Sequence, residues 1–145
     1  MKKIFKIFIF TILIIGFSKI AFGEESFFNK GVKLFKDKNY DDAKFLLERS
    51  IVFDPKHADS YLYLAKIYKK KEDKKNEEKN LEATLLIDPS NEEAILMLME
   101  FSLSKTNYSK VKELSERFTK VCKNLCNENK KILQDLKNLE PKNES

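Results

Sequence analysis

The chain has 145 residues, with 28 basic and 23 acidic side chains, a formal net charge of +5, three glycines, two cysteines and one histidine. A single His57, tied by no motif to a nucleophile or an acidic pair, reads as a solvated turn residue rather than a general acid–base centre. So few glycines leave no phosphate-cradling loop, and the length suits one domain.

The N-terminus reads as a targeting segment. Lys2, Lys3 and Lys6 make a basic start, residues 7–17 are an apolar run, and Ala21-Phe22-Gly23 places small residues two apart before Glu24-Glu25. This layout predicts a secretory signal peptide over residues 1–23, cleaved after Gly23. A membrane-spanning helix needs about 20 apolar residues, so the shorter run makes an uncleaved anchor the alternative. No cysteine near the cleavage point supports a lipoprotein anchor. Four lysines leave with the segment and no acid does, so 24 basic face 23 acidic side chains, a net charge of +1. A nucleic-acid partner inferred from the basic pI is then an artefact of the leader. Richness in Lys, Ile, Asn and Phe suggests an AT-rich bacterial genome and hence the periplasm.

Beyond the leader, Asp54-Pro55 and Asp88-Pro89 lie 34 residues apart, closing the similar runs Ser50-Ile51-Val52-Phe53 and Thr84-Leu85-Leu86-Ile87. A fixed period of that length marks a stacked helix-turn-helix array. Three units follow, 24–57, 58–91 and 92–125, each reading as two amphipathic helices around a polar break. In the first, Phe27, Gly31, Leu34 and Phe35 lead, Lys38-Asn39 turn, and Tyr40, Ala43, Leu47, Ser50, Ile51 and Phe53 follow. Proline then ends the helix, lacking an N–H and biasing the preceding residue away from helix.

This unit resembles the tetratricopeptide repeat. Phe27, Gly31, Leu34, Tyr40, Ala43, Leu47, Ser50 and Pro55 fall on the family's positions, and Lys30 departs from a usual Leu. The second unit matches at Tyr61, Leu64, Ala65, Tyr68, Leu81, Thr84, Ile87 and Pro89. There Lys74 and Glu77 replace an aromatic residue and a close-contact alanine. With almost no apolar anchor, residues 69–79 are expected to pack loosely. The third keeps the rhythm through Ile95, Leu98, Met99, Tyr108, Val111 and Phe118, although Phe118 stands where a small residue is usual and no proline closes the unit. Asn127 is expected to cap a last helix, 127–139, whose Ile132, Leu133, Leu136 and Leu139 form an apolar stripe able to cover the final repeat. Residues 140–145 read as a disordered tail.

The resemblance implies an all-α, right-handed helix-turn-helix solenoid of about three units with a C-terminal capping helix, non-enzymatic and without cofactor. It also implies a concave face that binds another protein or peptide. The family's contact positions map here onto Glu25, Phe28, Val32, Phe35 and Lys36, then Asp59, Leu62, Lys66, Lys69 and Lys70. The third unit adds Glu93, Leu96, Glu100, Leu103 and Ser104. Phe28, Phe35, Leu62, Leu96 and Leu103 would form a discontinuous apolar strip with Lys66 and Glu100 inside it. No Asn occupies position 9 of any unit, which disfavours the family's clamp for a C-terminal carboxylate. A helix or an extended peptide in the groove fits this chemistry. Intramolecular packing of the strip, or self-association through it, is the competing reading.

Cys122 and Cys126 flank Lys123-Asn124-Leu125. A disulfide is expected if the chain bends at Asn124 or Leu125, since both cysteines lie in the exported part. A redox-active dithiol is the other reading, against which stand the missing CxxC spacing and the absence of a nearby His. Two cysteines without histidine make a poor metal set. The functional expectation is an exported interaction or scaffold module. A dithiol redox protein and a membrane-anchored envelope assembly factor are the alternatives, with membrane contact only if the leader stays and homo-oligomers possible.

Overall fold

The computed structural model describes residues 26–139. The signal peptide expected over 1–23 and the tail expected over 140–145 lie outside them. The described residues form seven α-helices and no strand: α1 Phe27–Lys36, α2 Tyr40–Phe53, α3 Ala58–Lys70, α4 Lys74–Ile87, α5 Glu92–Ser104, α6 Tyr108–Val121 and α7 Cys126–Leu139. Successive helices pair as α1/α2, α3/α4 and α5/α6, and α7 packs on α6 and α5.

The 34-residue period reappears in the backbone. Lys38, Glu72 and Thr106, each 34 apart, are the described non-glycine residues with positive φ, at 61°, 58° and 56°. Each lies in the turn after a leading helix, where one left-handed residue reverses the chain. The next residues, Asn39, Asp73 and Asn107, are the N-caps of α2, α4 and α6. Asp73 and Asn107 accept the backbone N–H of Asn76 and Lys110 at 3.1 and 3.2 Å, satisfying donors that a helix start leaves unpaired. The leading helices start in the same way, Ser26 capping Asn29 and Asn91 capping Ala94.

Packing follows from the small residues. A Cβ built on Gly31 would lie 2.9 Å from Leu47 Cγ and 3.4 Å from the Ala43 carbonyl oxygen, so α1 and α2 cross where only glycine fits. Ala43, Leu47, Leu64 and Ile67 form one core cluster, with Phe28, Phe35 and Tyr63 packed against it. A larger cluster runs from Leu62 and Ala65 through α4–α6 to Ile132 and Leu136 of α7. Each fully buried Leu, Ile or Phe contributes roughly 1.5–3 kcal/mol. Phe118, oversized for its repeat position, is fully buried.

Several expectations need correction. Residues 69–79 are mostly exposed, as expected, but they are tied down at three points. Lys71 pairs with Asp41 of α2, Asp73 caps α4, and Glu77, in the alanine position, is only 2% exposed with Lys74 Nζ 3.3 Å from its carboxylate. Charged side chains thus supply the few fixed contacts of this segment, each weaker than a buried apolar one. His57 is no solvated turn residue: it is the half-buried N-cap of α3, its Nδ1 accepting the Ser60 N–H at 3.2 Å and its ring 4.4 Å from that of Phe28. Asn127 lies inside α7, which starts at Cys126. Of the apolar stripe of α7, Ile132 and Leu136 are buried, whereas Leu133 and Leu139 are exposed at the edge of a helix that covers its neighbours with one narrow face.

Candidate interaction groove

The leading helices α1, α3 and α5 place Phe35, Lys66, Lys69, Lys70, Glu93, Leu96, Met97 and Glu100 around one groove of about 480 Å³. Lys66 Nζ lies 2.8 Å from Glu93 Oε2, and Lys69 Nζ lies 2.7 Å from Glu100 Oε2. The two pairs run between α3 and α5 like rungs. Such pairs at a solvated surface contribute at most about 1 kcal/mol each, so their effect is on the charge a ligand meets. Lys66 also sits 4.4 Å from the centre of the Tyr63 ring, a cation–π contact.

A second cleft of about 450 Å³ continues the first between α5 and α7. Leu96, Glu100, Leu103 and Ser104 form one wall, and Glu128, Lys131, Ile132, Asp135 and Leu139 the other. Leu96 and Glu100 belong to both, so the two clefts adjoin on either side of α5, and together they are called the trough. Tyr108 OH donates to the Leu139 carbonyl at 3.0 Å and ties down the far end of α7.

Seven of the expected contact residues, Phe35, Lys66, Lys69, Lys70, Glu93, Leu96 and Glu100, meet in the first cleft, and Leu103 and Ser104 join in the second. Phe28 lies elsewhere, against His57 and Tyr63 at the N-terminal end. Val32 is half-buried on α1 and lines neither cleft. Within the expected discontinuous strip, Leu62 and Leu96 are packed inside the molecule, 4% and 7% exposed and both in the larger core cluster. Packing of each unit on the next turns these two side chains inward, leaving a floor of paired charges flanked by Phe35 and Leu103. The reading from sequence missed Met97 and the wall supplied by Glu128, Lys131 and Asp135. The amphipathic pattern of α7 is visible in the sequence, but by itself it points only to a helix that covers the end.

At the junction before α7, the Cα atoms of Cys122 and Cys126 are 5.3 Å apart with their sulfur atoms in contact. The chain leaves helical geometry over residues 122–125, the break that a pairing of these two residues requires. Glu92, at the start of α5, reaches into this loop. Its carboxylate accepts the backbone N–H groups of Lys123, Asn124 and Leu125 at 2.8, 3.0 and 2.7 Å. The Leu125 bond above all, helped by the other two and by the Lys123 charge, holds the Glu92 carboxyl below its ordinary range against the opposing cost of desolvation. Among the described residues no cluster of three or more His, Cys, Asp or Glu is placed to hold a metal ion.

The architecture is that of a tetratricopeptide-repeat solenoid: about three helix-turn-helix units and a capping helix. The first tetratricopeptide domain of Spaghetti (RPAP3), bound to the HSP90 peptide SRMEEVD, superposes with a TM-score of 0.65 at 22% identity, over 77% of this chain and 90% of that one. The Sgt2 tetratricopeptide domain from Aspergillus fumigatus superposes with a TM-score of 0.66 at 14% identity, over 86% of this chain and 89% of that one. No protein-family model matches the chain, and no curated protein does.

Proposed function

We propose that this chain is an exported, non-enzymatic interaction module that seats a segment of another protein in the trough formed by α1, α3, α5 and α7. The observation that carries the reading is that all three leading helices and the capping helix line two adjoining open clefts. Peptide occupancy in the Spaghetti domain, which shares the fold, supports it. The charge pattern narrows the ligand. Lys66 and Lys69 already have carboxylate partners, so a purely acidic peptide would have to displace Glu93 and Glu100. A segment of mixed charge with an apolar anchor beside Phe35 or Leu103 fits without that exchange. On the export reading Cys122 and Cys126 form a structural bridge in an oxidising compartment, and retention of the leader would make the module a membrane-anchored one.

The test is affinity capture from the native envelope with the wild-type protein and with Phe35→Ser/Lys69→Glu, followed by mass spectrometry. A partner held by the wild type and lost by a variant of unchanged melting temperature supports the trough. Equal capture by both would place binding elsewhere.

A further inference from the structure

The N-terminal end of the solenoid carries a surface unlike the rest. On α2, Phe45, Val52 and Phe53 are 57%, 78% and 71% exposed. Phe53 stacks on Phe27 of α1 with ring centres 5.2 Å apart, and the Arg49 guanidinium lies over Phe27 and Phe45 at 4.4 and 5.8 Å. Beside them opens a cleft of about 570 Å³ lined by Ser26, Phe27, Phe28, Phe53 and His57, among others.

The repeat supplies an internal control. One period later, Ser60 occupies the place of Ser26. Ser60 is fully buried, with its Oγ 2.9 Å from Ser50 Oγ of the preceding helix. Ser26 is exposed. The cleft is therefore the place where a preceding helix pair docks in the interior of the array, left open at the end. At the opposite end α7 covers the last repeat, and no described helix does so here.

We infer that this end docks against the same end of a second copy of the chain, forming a two-fold dimer. The inference rests on the export reading, in which residues 1–23 are gone and only Glu24 and Glu25 precede Ser26. The patch is also self-complementary. Aromatic rings would meet rings across a two-fold axis, and Arg49 over the Phe27 ring with Asp54 on the cleft wall gives each copy both charges to offer the other. A strongly acidic or strongly basic partner would meet like charge on part of the patch.

The experiment purifies the protein from cells expressing the full-length sequence, fixes its N-terminus by intact mass, and follows sedimentation velocity across the micromolar range. A concentration-dependent dimer is expected. Phe53→Asp and Val52→Glu should each weaken it by about 30-fold or more, the scale of a buried anchor, with helicity and melting temperature unchanged. Val52 is the safer variant for folding because it is the more exposed. A monomer at every concentration overturns the dimer, as does a dimer that both variants leave intact. The mass decides the export reading separately, since a chain that retains residues 1–23 refutes cleavage whatever its oligomeric state.

Discussion

Glu92 Oε2 accepts the Leu125 backbone N–H at 2.7 Å, across 33 residues of sequence. With the Lys123 and Asn124 bonds, this places a carboxylate where the turn before α7 presents unpaired donors. One side chain of α5 thus holds the capping helix in place, in the unit where no proline sets the turn.

Loss of that carboxylate is expected to loosen α7 first. Glu92→Gln should lower the melting temperature at neutral pH and speed amide exchange in α7 while α1–α4 stay protected. The folded carboxyl titrates below its ordinary value. Its stabilisation is therefore present above the unfolded value and is lost as pH falls through the lower folded one. The variant should show a flatter acid limb in its stability–pH profile. Identical profiles for wild type and variant would refute the role.

Thr106 is a β-branched residue in left-handed geometry, at φ 56°. Such a placement costs on the order of 1–3 kcal/mol, and glycine adopts it freely while costing about 0.5–1 kcal/mol of chain entropy. Thr106→Gly is expected to raise stability by roughly 0.5–1 kcal/mol in urea unfolding. A loss instead would mean that the Thr106 Oγ1 bond to the Lys105 carbonyl, 2.7 Å, outweighs the strain.

Leu62 and Phe35 lie on adjacent leading helices and should respond differently. Leu62→Ala is expected to cost about 2–5 kcal/mol as a core truncation, and Phe35→Ser much less, because Phe35 is half-exposed at the groove. Ala43→Asp, burying a carboxylate at the α1–α2 crossing, should cost roughly 3–5 kcal/mol or prevent folding. Chemical denaturation ranks the three, and a Leu62 variant as stable as wild type would put that residue back in the groove.

Cys122 and Cys126 are expected to show no free thiol in protein from its native compartment. Reduction should destabilise the chain by about 2 kcal/mol, the loop-closure value for so short a loop. Catalysis of insulin reduction would instead reveal a working dithiol.

The period itself was legible from sequence because its causes are local. Pro55 and Pro89 end helices through their own ring geometry, Gly31 and Ala43 mark a crossing by their size, and apolar spacing sets which face of each helix turns inward. The groove was legible in part. Phe35, Lys66, Lys69 and Glu100 came from repeat positions, which record where a leading helix faces. Three things required the folded chain. Leu62 and Lys66 are one helical turn apart, yet one is core and the other groove, because the next unit's packing decides where the boundary falls. Glu77 occupies an alanine position and is still buried, since the Lys74 ammonium 3.3 Å away offsets part of the cost of taking its carboxylate out of water. Glu92 reads as one more acid in the first turn of a helix; only tertiary structure brings the loop at Leu125 to it, because a hydrogen bond between residues 33 apart has no local signature.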